Sequence, residues 1–244
     1  MKGITIAVFN QKGGIGKTTT TMNLGWALIN KGKKVLMIDL DPQSSLTISM
    51  HFEPHLMETT IYDVLNGQDI RKNVITDNEN FFFVPSNINL SGAEVELIKK
   101  PRTLENCLKP VRDYFDYIII DCPPSLGNLS MNALVASDGV IVPMETQFLC
   151  WEGYELLKNT VEQSKGLNPN IKIIGLLATM HKKNNHNKQV LEIIKETGLA
   201  FNTVIPDRVA FQDATVEGVP VSDMEKELGI LYDELAQEVI DRGY

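Results

Sequence analysis

A lysine and a threonine end a glycine-rich run near the N-terminus, a pattern typical of phosphate binding. The run is KGGIGKT at residues 12–18, between an apolar stretch at Ile4–Phe9 and a helical pattern at Lys17–Asn30. Glycines allow tight turns in which successive N–H groups point at phosphate oxygens, and the positive end of the following helix adds to that field. In such a loop we expect Lys17 to reach the β- and γ-phosphates and the Thr18 hydroxyl to ligate Mg²⁺. A purely structural glycine turn is the alternative, but the Lys-Thr pair in a strand–loop–helix context predicts a P-loop.

Three aspartates near the ends of apolar runs are the next candidates for chemistry. Asp121 and Asp39 each end such a run. Carboxyl ends of parallel strands meet where ligands bind, and Mg²⁺ is usually held by one or two carboxylates together with phosphate. Alone, either aspartate could cap a turn. Asp41 precedes Pro42, which predicts a helix N-cap with proline at the first helical position, a role compatible with catalysis. The predicted metal ligands are Thr18, Asp39 and Asp121.

The elements that must position these residues alternate between short apolar runs and amphipathic stretches. Continuous β-branched runs are expected for strands covered on both faces. The alternation predicts an α/β fold, with residues 1–244 forming a single-domain, doubly wound, mainly parallel sheet with helices on both faces. The predicted strands are Ile4–Phe9, Val35–Leu40, Phe81–Val84, Tyr117–Asp121, Gly139–Pro143, Ile171–Thr179 and Thr203–Ile205. The predicted helices are Lys17–Asn30, Thr103–Tyr114, Trp151–Lys165, Lys188–Glu196 and a last helix carrying the stripe Leu228, Leu231, Leu235 and Val239.

The composition is that of a soluble globular protein. Of its 244 residues, 43% are hydrophobic and 22% charged, and no apolar run is long enough to span a membrane. The N-terminal apolar stretch runs directly into the glycine loop without a cleavage site, so we expect a cytoplasmic protein. The odd number and unpaired spacing of Cys107, Cys122 and Cys150 argue against disulfides, zinc and iron–sulfur clusters, and predict reduced thiols.

The acidic charge is concentrated at one end of the chain. Of the net charge of −8, residues 201–244 carry −7, from ten acidic and three basic residues. Any surface that binds a polyanion must therefore be local and lie away from this segment.

The additional lysine of the loop, Lys12, makes KGGIGKT resemble the deviant Walker A motif of the ParA/MinD ATPases. The resemblance covers nearly the whole chain, and its five further matches occur in order. They are DLDPQSS at Asp39–Ser45, SGAEVEL at Ser91–Leu97, IIIDCPPSLG at Ile118–Gly127, NALVASDGVIVPME at Asn132–Glu145 and TVIP at Thr203–Pro206. Without an N-terminal DNA-reading extension, the chain is similar to the short, Soj-like partition proteins.

The resemblance implies a switch that uses ATP and Mg²⁺. ATP would bring two subunits together as a homodimer, the dimer would bind nonspecific DNA on the nucleoid, and a ParB-like partner would stimulate hydrolysis. Lys12 would cross the interface to the partner's phosphates, Asp41 would orient the attacking water, and Asp39 would contact Mg²⁺ through water. The implied catalytic residues are Lys12, Lys17 and Asp41. The implied nucleotide-binding residues are Lys12, Gly13, Gly14, Ile15, Gly16, Lys17, Thr18 and Thr19 in the loop, with Thr179, Pro206 and Asp207 near the adenine.

The segment Ile205–Ala210 departs from the family where DNA contacts are expected. Soj-like proteins often carry arginines here, whereas this chain has an acid in place of the first and an alanine in place of the last. The best remaining basic cluster is His181–Lys188, which could bind phosphates weakly or be an ordinary solvated loop. The candidate DNA contacts are Lys182, Lys183, Lys188 and Arg208.

Three other functions compete with DNA partition. A MinD-like membrane regulator would need a basic amphipathic C-terminal helix, whereas this C-terminus is acidic. A ParA-like ATPase that positions a protein cargo or microcompartment cannot be distinguished from a DNA partition protein by one sequence. A metabolic ligase of the same fold would need its own acid–base cluster, and the sequence shows none.

Overall fold

A seven-stranded sheet forms the centre of the computed structural model, which describes residues 3–76, 79–147 and 150–244, without the side chains of 150–152. The pairings between its strands are parallel, in the order β3-β2-β4-β1-β5-β6-β7. The strands are β1 Ile4–Val8, β2 Val35–Asp39, β3 Phe81–Val84, β4 Tyr117–Asp121, β5 Gly139–Glu145, β6 Lys172–His181 and β7 Ala200–Pro206. All seven predicted strands are confirmed, and β5, β6 and β7 extend beyond their predicted ends.

Helices connect the strands. They are α1 Lys17–Asn30, α2 Ser45–Ser49, α3 Ile61–Leu65, α4 Leu90–Glu96, α5 Thr103–Leu108, α6 Asn128–Ala136, α7 Cys150–Ser164, α8 Asn185–Glu196, α9 Ala210–Glu217, α10 Val221–Met224 and α11 Lys226–Asp241. The predicted helix Thr103–Tyr114 is interrupted, because Pro110 has no N–H to continue it, and a 3₁₀ turn follows at Arg112–Tyr114. Helix α6 was not predicted, since seven of its nine residues are buried and the amphipathic period that marks a surface helix is missing.

Apolar side chains pack on both faces of the sheet. Along β4, Ile118 and Ile120 join one cluster while Ile119 joins the other, as the alternation of side chains along a strand requires. The stripe predicted for the last helix is confirmed, since Leu228, Leu235 and Val239 of α11 are buried and Leu231 is half-buried. The doubly wound architecture is therefore confirmed.

The strand register brings the candidate site residues to one edge of the sheet. Asp121 at the end of β4 pairs in register with Asp39 of β2 on one side and with Val8 of β1 on the other. The glycine loop follows β1 directly. Two acids that are 82 residues apart in sequence thus lie beside the start of α1.

Candidate nucleotide site

Two glycines in the left-handed region turn the loop between β1 and α1. Gly14 has φ of 70° and Gly16 has φ of 89°, values that a residue with a Cβ rarely adopts. Lys17 begins α1, and its Nζ donates a hydrogen bond to the carbonyl of Lys12 at 2.9 Å. Only 7% of Lys17 is exposed, and this burial lowers its pKa, against the opposing effect of the Asp121 carboxylate. The loop therefore holds a largely desolvated cation at its centre.

The hydroxyl of Thr18 and the carboxylate of Asp121 meet at the start of α1. Thr18 donates to Oδ2 of Asp121 at 2.7 Å, and Thr21 donates to Oδ1 at 3.4 Å. Burial raises the pKa of Asp121 well above its usual range, and the neighbouring Asp39 raises it further. Two adjacent buried carboxylates without a full countercharge fit a divalent cation.

Asp39 is fully buried and accepts three hydrogen bonds. The N–H of Thr47 donates to its Oδ2 at 2.8 Å, the hydroxyl of Thr47 to the same oxygen at 2.7 Å, and the N–H of Asp41 to its Oδ1 at 3.1 Å. Burial raises the pKa of Asp39 to about 6, although these hydrogen bonds act in the opposite direction. With both oxygens engaged, Asp39 is better placed to reach a metal through water than directly.

The side chains around Asp39 and Asp121 offer mainly oxygen atoms, which are the ligands that Mg²⁺ prefers. Within the described ranges, no group of three or more His, Cys, Asp or Glu side chains could hold a metal by itself. The pair Asp39 and Asp121, with Thr18, therefore fits Mg²⁺ when phosphate and water oxygens complete its coordination. Burial raises the pKa of the free thiols of Cys107 and Cys122, which disfavours their thiolate forms, while the side chain of Cys150 lies outside the described residues.

Asp41 does not cap a helix, so that prediction was wrong. Helix α2 begins at Ser45 and its N-cap is Ser44, with φ of 57°. Instead, the carbonyl of Asp41 accepts from the N–H of Ser44 at 2.8 Å and its carboxylate accepts from the N–H of Gln43 at 2.9 Å. Pro42 thus takes the second position of a β-turn, for which its fixed φ is equally suited. This turn leaves Asp41 lining the cavity in front of the glycine loop.

Lys12, the additional lysine of the loop, forms an ion pair within its own subunit. Its Nζ lies 2.6 Å from Oε2 of Glu145, the last residue of β5. The lysine side chain is 51% exposed, whereas that of Glu145 is 16% exposed. No sequence pattern predicts this pair, because the two residues are separated by 133 positions.

Two adjoining cavities lie along the loop. The first, of about 490 Å³, is lined by Gly13, Gly14, Gly16, Lys17, Thr18 and Asp41, among others. The second, of about 340 Å³, shares Gly16 and Thr19 with the first and is lined by Thr179, Pro206, Asp207 and the apolar side chains of Phe211 and Tyr232. Ile15 is buried behind the loop, and its carbonyl accepts a hydrogen bond from the Thr179 hydroxyl at 2.9 Å. Sequence reasoning missed Phe211 and Tyr232, which lie in a region with no recognised motif.

The four candidate DNA contacts, Lys182, Lys183, Lys188 and Arg208, are all exposed. The pairing of β6 with β7 places Lys182 beside the segment that carries Arg208, since His181 pairs in register with Pro206. Lys182 lies 3.2 Å from the carboxylate of Asp207, so one of the four cations is partly neutralised. Asp207 therefore contacts Lys182 and also lines the second cavity.

Comparisons with known proteins agree with this geometry. A family model described as an AAA domain matches residues 3–173. The sporulation initiation inhibitor protein Soj of Bacillus subtilis is 40% identical over 252 residues, which cover 99% of this chain and 100% of that protein.

Solved structures are similar over nearly the full length. A plasmid partition protein of Borrelia burgdorferi B31 with bound AMPPNP has a TM-score of 0.86 and 28% identity, with 100% of each chain covered. A cobyrinic acid a,c-diamide synthase of Mycobacterium smegmatis with a bound ATP analogue and magnesium has a TM-score of 0.84 and 32% identity, covering 96% of this chain and 93% of that one. The chain belongs to the ParA and Soj family of P-loop ATPases.

Proposed function

We propose that residues 1–244 form one Mg²⁺-dependent ATPase domain that acts as a partition switch for chromosomal or plasmid DNA. The observation that carries this proposal is the buried cation of Lys17 beside the buried carboxylate pair Asp39 and Asp121, in front of a cavity that continues toward Pro206. The similarity to Soj and to the Borrelia partition protein supports the biological role.

Phosphate binding follows from the charges in the loop. The ammonium of Lys17 now bonds to a carbonyl, and phosphate oxygens would offer it a stronger, charged acceptor. The N-terminus of α1 and the left-handed glycines Gly14 and Gly16 direct N–H groups toward the same anion. Bound Mg²⁺ would neutralise charge on the β- and γ-phosphates, with Thr18 and Asp121 as its protein ligands and Asp39 behind a water.

Base binding would use the second cavity. Thr179, Pro206 and Asp207 line it, and Phe211 and Tyr232 supply apolar surface. A volume of about 340 Å³ is at the lower end of the range for small-molecule sites, as suits one part of a nucleotide.

Hydrolysis would require Asp41 to orient the attacking water. One carboxylate oxygen of Asp41 is fixed by the N–H of Gln43, so the side chain is held at the cavity wall. A group held in one orientation loses little entropy on reaching the reactive geometry.

Lys12 would serve the partner subunit rather than its own. Half of its side chain is exposed, and its ammonium is paired with Glu145. A cation supplied in trans can stabilise transition-state charge as an arginine finger does, by about 10³–10⁵ in rate in GTPases. In this proposal, Lys12 leaves Glu145 when two subunits close over a pair of ATP molecules.

DNA binding by the ATP-bound dimer would use the exposed cations Lys182, Lys183, Lys188 and Arg208, doubled by the second subunit. The pairing of Lys182 with Asp207 predicts an affinity lower than four free cations would give, and a strong dependence on salt. A ParB-like protein is the partner that would stimulate hydrolysis, and the ATP-bound dimer would then be associated with the nucleoid.

A membrane role is disfavoured by how α11 packs. Most of its apolar residues, including Leu235 and Val239, are buried in the core and are not available to lie on a lipid surface. None of the helices in the described ranges is both long and apolar enough to cross a bilayer.

The deciding experiment measures DNA binding with and without ATP at two salt concentrations. The Asp41→Ala variant should bind ATP, accumulate as a dimer and retain DNA, whereas the Lys182→Glu/Lys183→Glu variant should lose DNA binding but keep ATP turnover. If the ATP-locked dimer ignores DNA even at low ionic strength, the partition role fails. Turnover that depends on a small-molecule acceptor would favour a synthase instead.

A further inference from the structure

A closed ring of buried hydrogen bonds connects Asp39, which ends β2, with Asp41, which follows it. The N–H of Asp41 donates to Asp39 at 3.1 Å, and the hydroxyl of Thr47 donates to Asp39 at 2.7 Å. Ser86 completes the ring, since its hydroxyl donates to the carbonyl of Asp41 at 2.9 Å and its N–H donates to the hydroxyl of Thr47 at 2.9 Å. The ring therefore fixes the backbone and side chain on which the proposed water-orienting role depends.

Ser86 reaches this ring from a different part of the chain. It lies two residues beyond β3, whose register with β2 pairs Val84 with Ile38. Its side chain is fully buried, and it contacts Asp41 across 45 positions of sequence. Without this contact, the turn at Asp41 would be held only by its own local hydrogen bonds.

The hydroxyl of Ser86 is not needed to satisfy the carbonyl of Asp41. That carbonyl already accepts from the N–H of Ser44 at 2.8 Å. Replacing Ser86 with alanine therefore leaves no new buried acceptor unpaired, and we expect the fold to tolerate it. What the hydroxyl adds is a second, nonlocal restraint on the position of Asp41.

We propose that Ser86 is a positioning residue for ATP hydrolysis. Its hydroxyl binds the backbone carbonyl of Asp41 and so holds Asp41 at the cavity wall. This inference rests on the proposed function of the site. Ser86 does not line the cavities in front of the glycine loop, so it acts through Asp41 and not through the nucleotide. Small displacements of a positioned catalytic group are costly for the chemical step and have little effect on binding.

The test compares steady-state MgATP turnover by the full chain and its Ser86→Ala variant. We expect kcat to fall about tenfold, as for partial misplacement of a catalytic group, with KM for ATP changed less than twofold. The Ser86→Thr variant, which keeps the hydroxyl, should recover most of the lost kcat. The matched control is Ser137→Ala, because Ser137 is also a buried serine that donates to a carbonyl, at 2.7 Å from Ala133, but it lies at the end of α6.

The outcomes separate this inference from the proposed function. If Ser86→Ala keeps the turnover of Ser137→Ala while Asp41→Ala has lost it, the role of Ser86 is refuted and the ATPase assignment stands. A KM that rises in step with the fall of kcat would show a general disturbance of the site, which also refutes it. If the unmodified chain does not hydrolyse MgATP at all, the proposed function fails first and the role of Ser86 fails with it.

Discussion

Substituting Glu145 by glutamine should tighten the ATP-dependent dimer. In the proposed dimer, Lys12 contacts the partner's phosphates, so its ion pair with Glu145 would have to break before the dimer closes. The lysine is half exposed, and exposed pairs are worth about 0.2–1 kcal/mol. Two such pairs break per dimer, which makes the total about 0.4–2 kcal/mol. At 1.4 kcal/mol per factor of ten, the dissociation constant should fall roughly two- to thirtyfold.

The assay is analytical ultracentrifugation or light scattering with a non-hydrolysable ATP analogue over a range of protein concentrations. The matched control is Glu162→Gln, which removes a lysine pair of the same 2.6 Å length on the surface of α7 and should leave dimerisation unchanged. Adding Lys12→Ala to Glu145→Gln should abolish the gain. A weaker dimer for Glu145→Gln would refute the reasoning, because it would show that the carboxylate delivers Lys12 to the interface and does not withhold it.

Three further outcomes follow from the same geometry. Lys17→Ala should abolish ATP binding in a calorimetric titration, since the loop loses the cation at its centre; binding that persists would contradict the phosphate site. Asp207→Arg should free Lys182 from its 3.2 Å ion pair and make DNA binding tighter. The slope of log binding constant against log salt concentration should become steeper by about 0.9 for each added phosphate contact. An unchanged slope would show that DNA binds elsewhere. The contribution of Asp39 should make the magnesium-free protein melt at a higher temperature at pH 5 than at pH 8. Burial raises the pKa of Asp39 to about 6, so its stabilising effect, present below the unfolded pKa of 3.8, is lost as pH rises through about 6. Adding MgATP should reduce this difference, and melting curves with EDTA or MgATP would test both points.

Local sequence was sufficient for the parts of the site that one segment builds. The run at residues 12–18 needs only glycine, lysine and threonine in order, because its function lies in a single turn and the first turn of α1. Asp39 and Asp121 could be placed at one edge of the sheet, since the carboxyl ends of parallel strands must meet there. The same logic failed at Asp41, where Pro42 fits a β-turn as well as a helix start.

What the sequence by itself determined is thus the fold class, the phosphate loop and the acidic pair, since each depends on periodicity or on neighbours along the chain. Only the tertiary structure decided which side chains partner these residues: Glu145 for Lys12, Ser86 for Asp41 and Asp207 for Lys182. Glu145 ends β5 and Ser86 lies just beyond β3, so each reaches its partner only after the sheet has formed. The physical reason is that strand register and turn geometry fix such contacts to within a few ångströms, and composition or spacing carries no record of them.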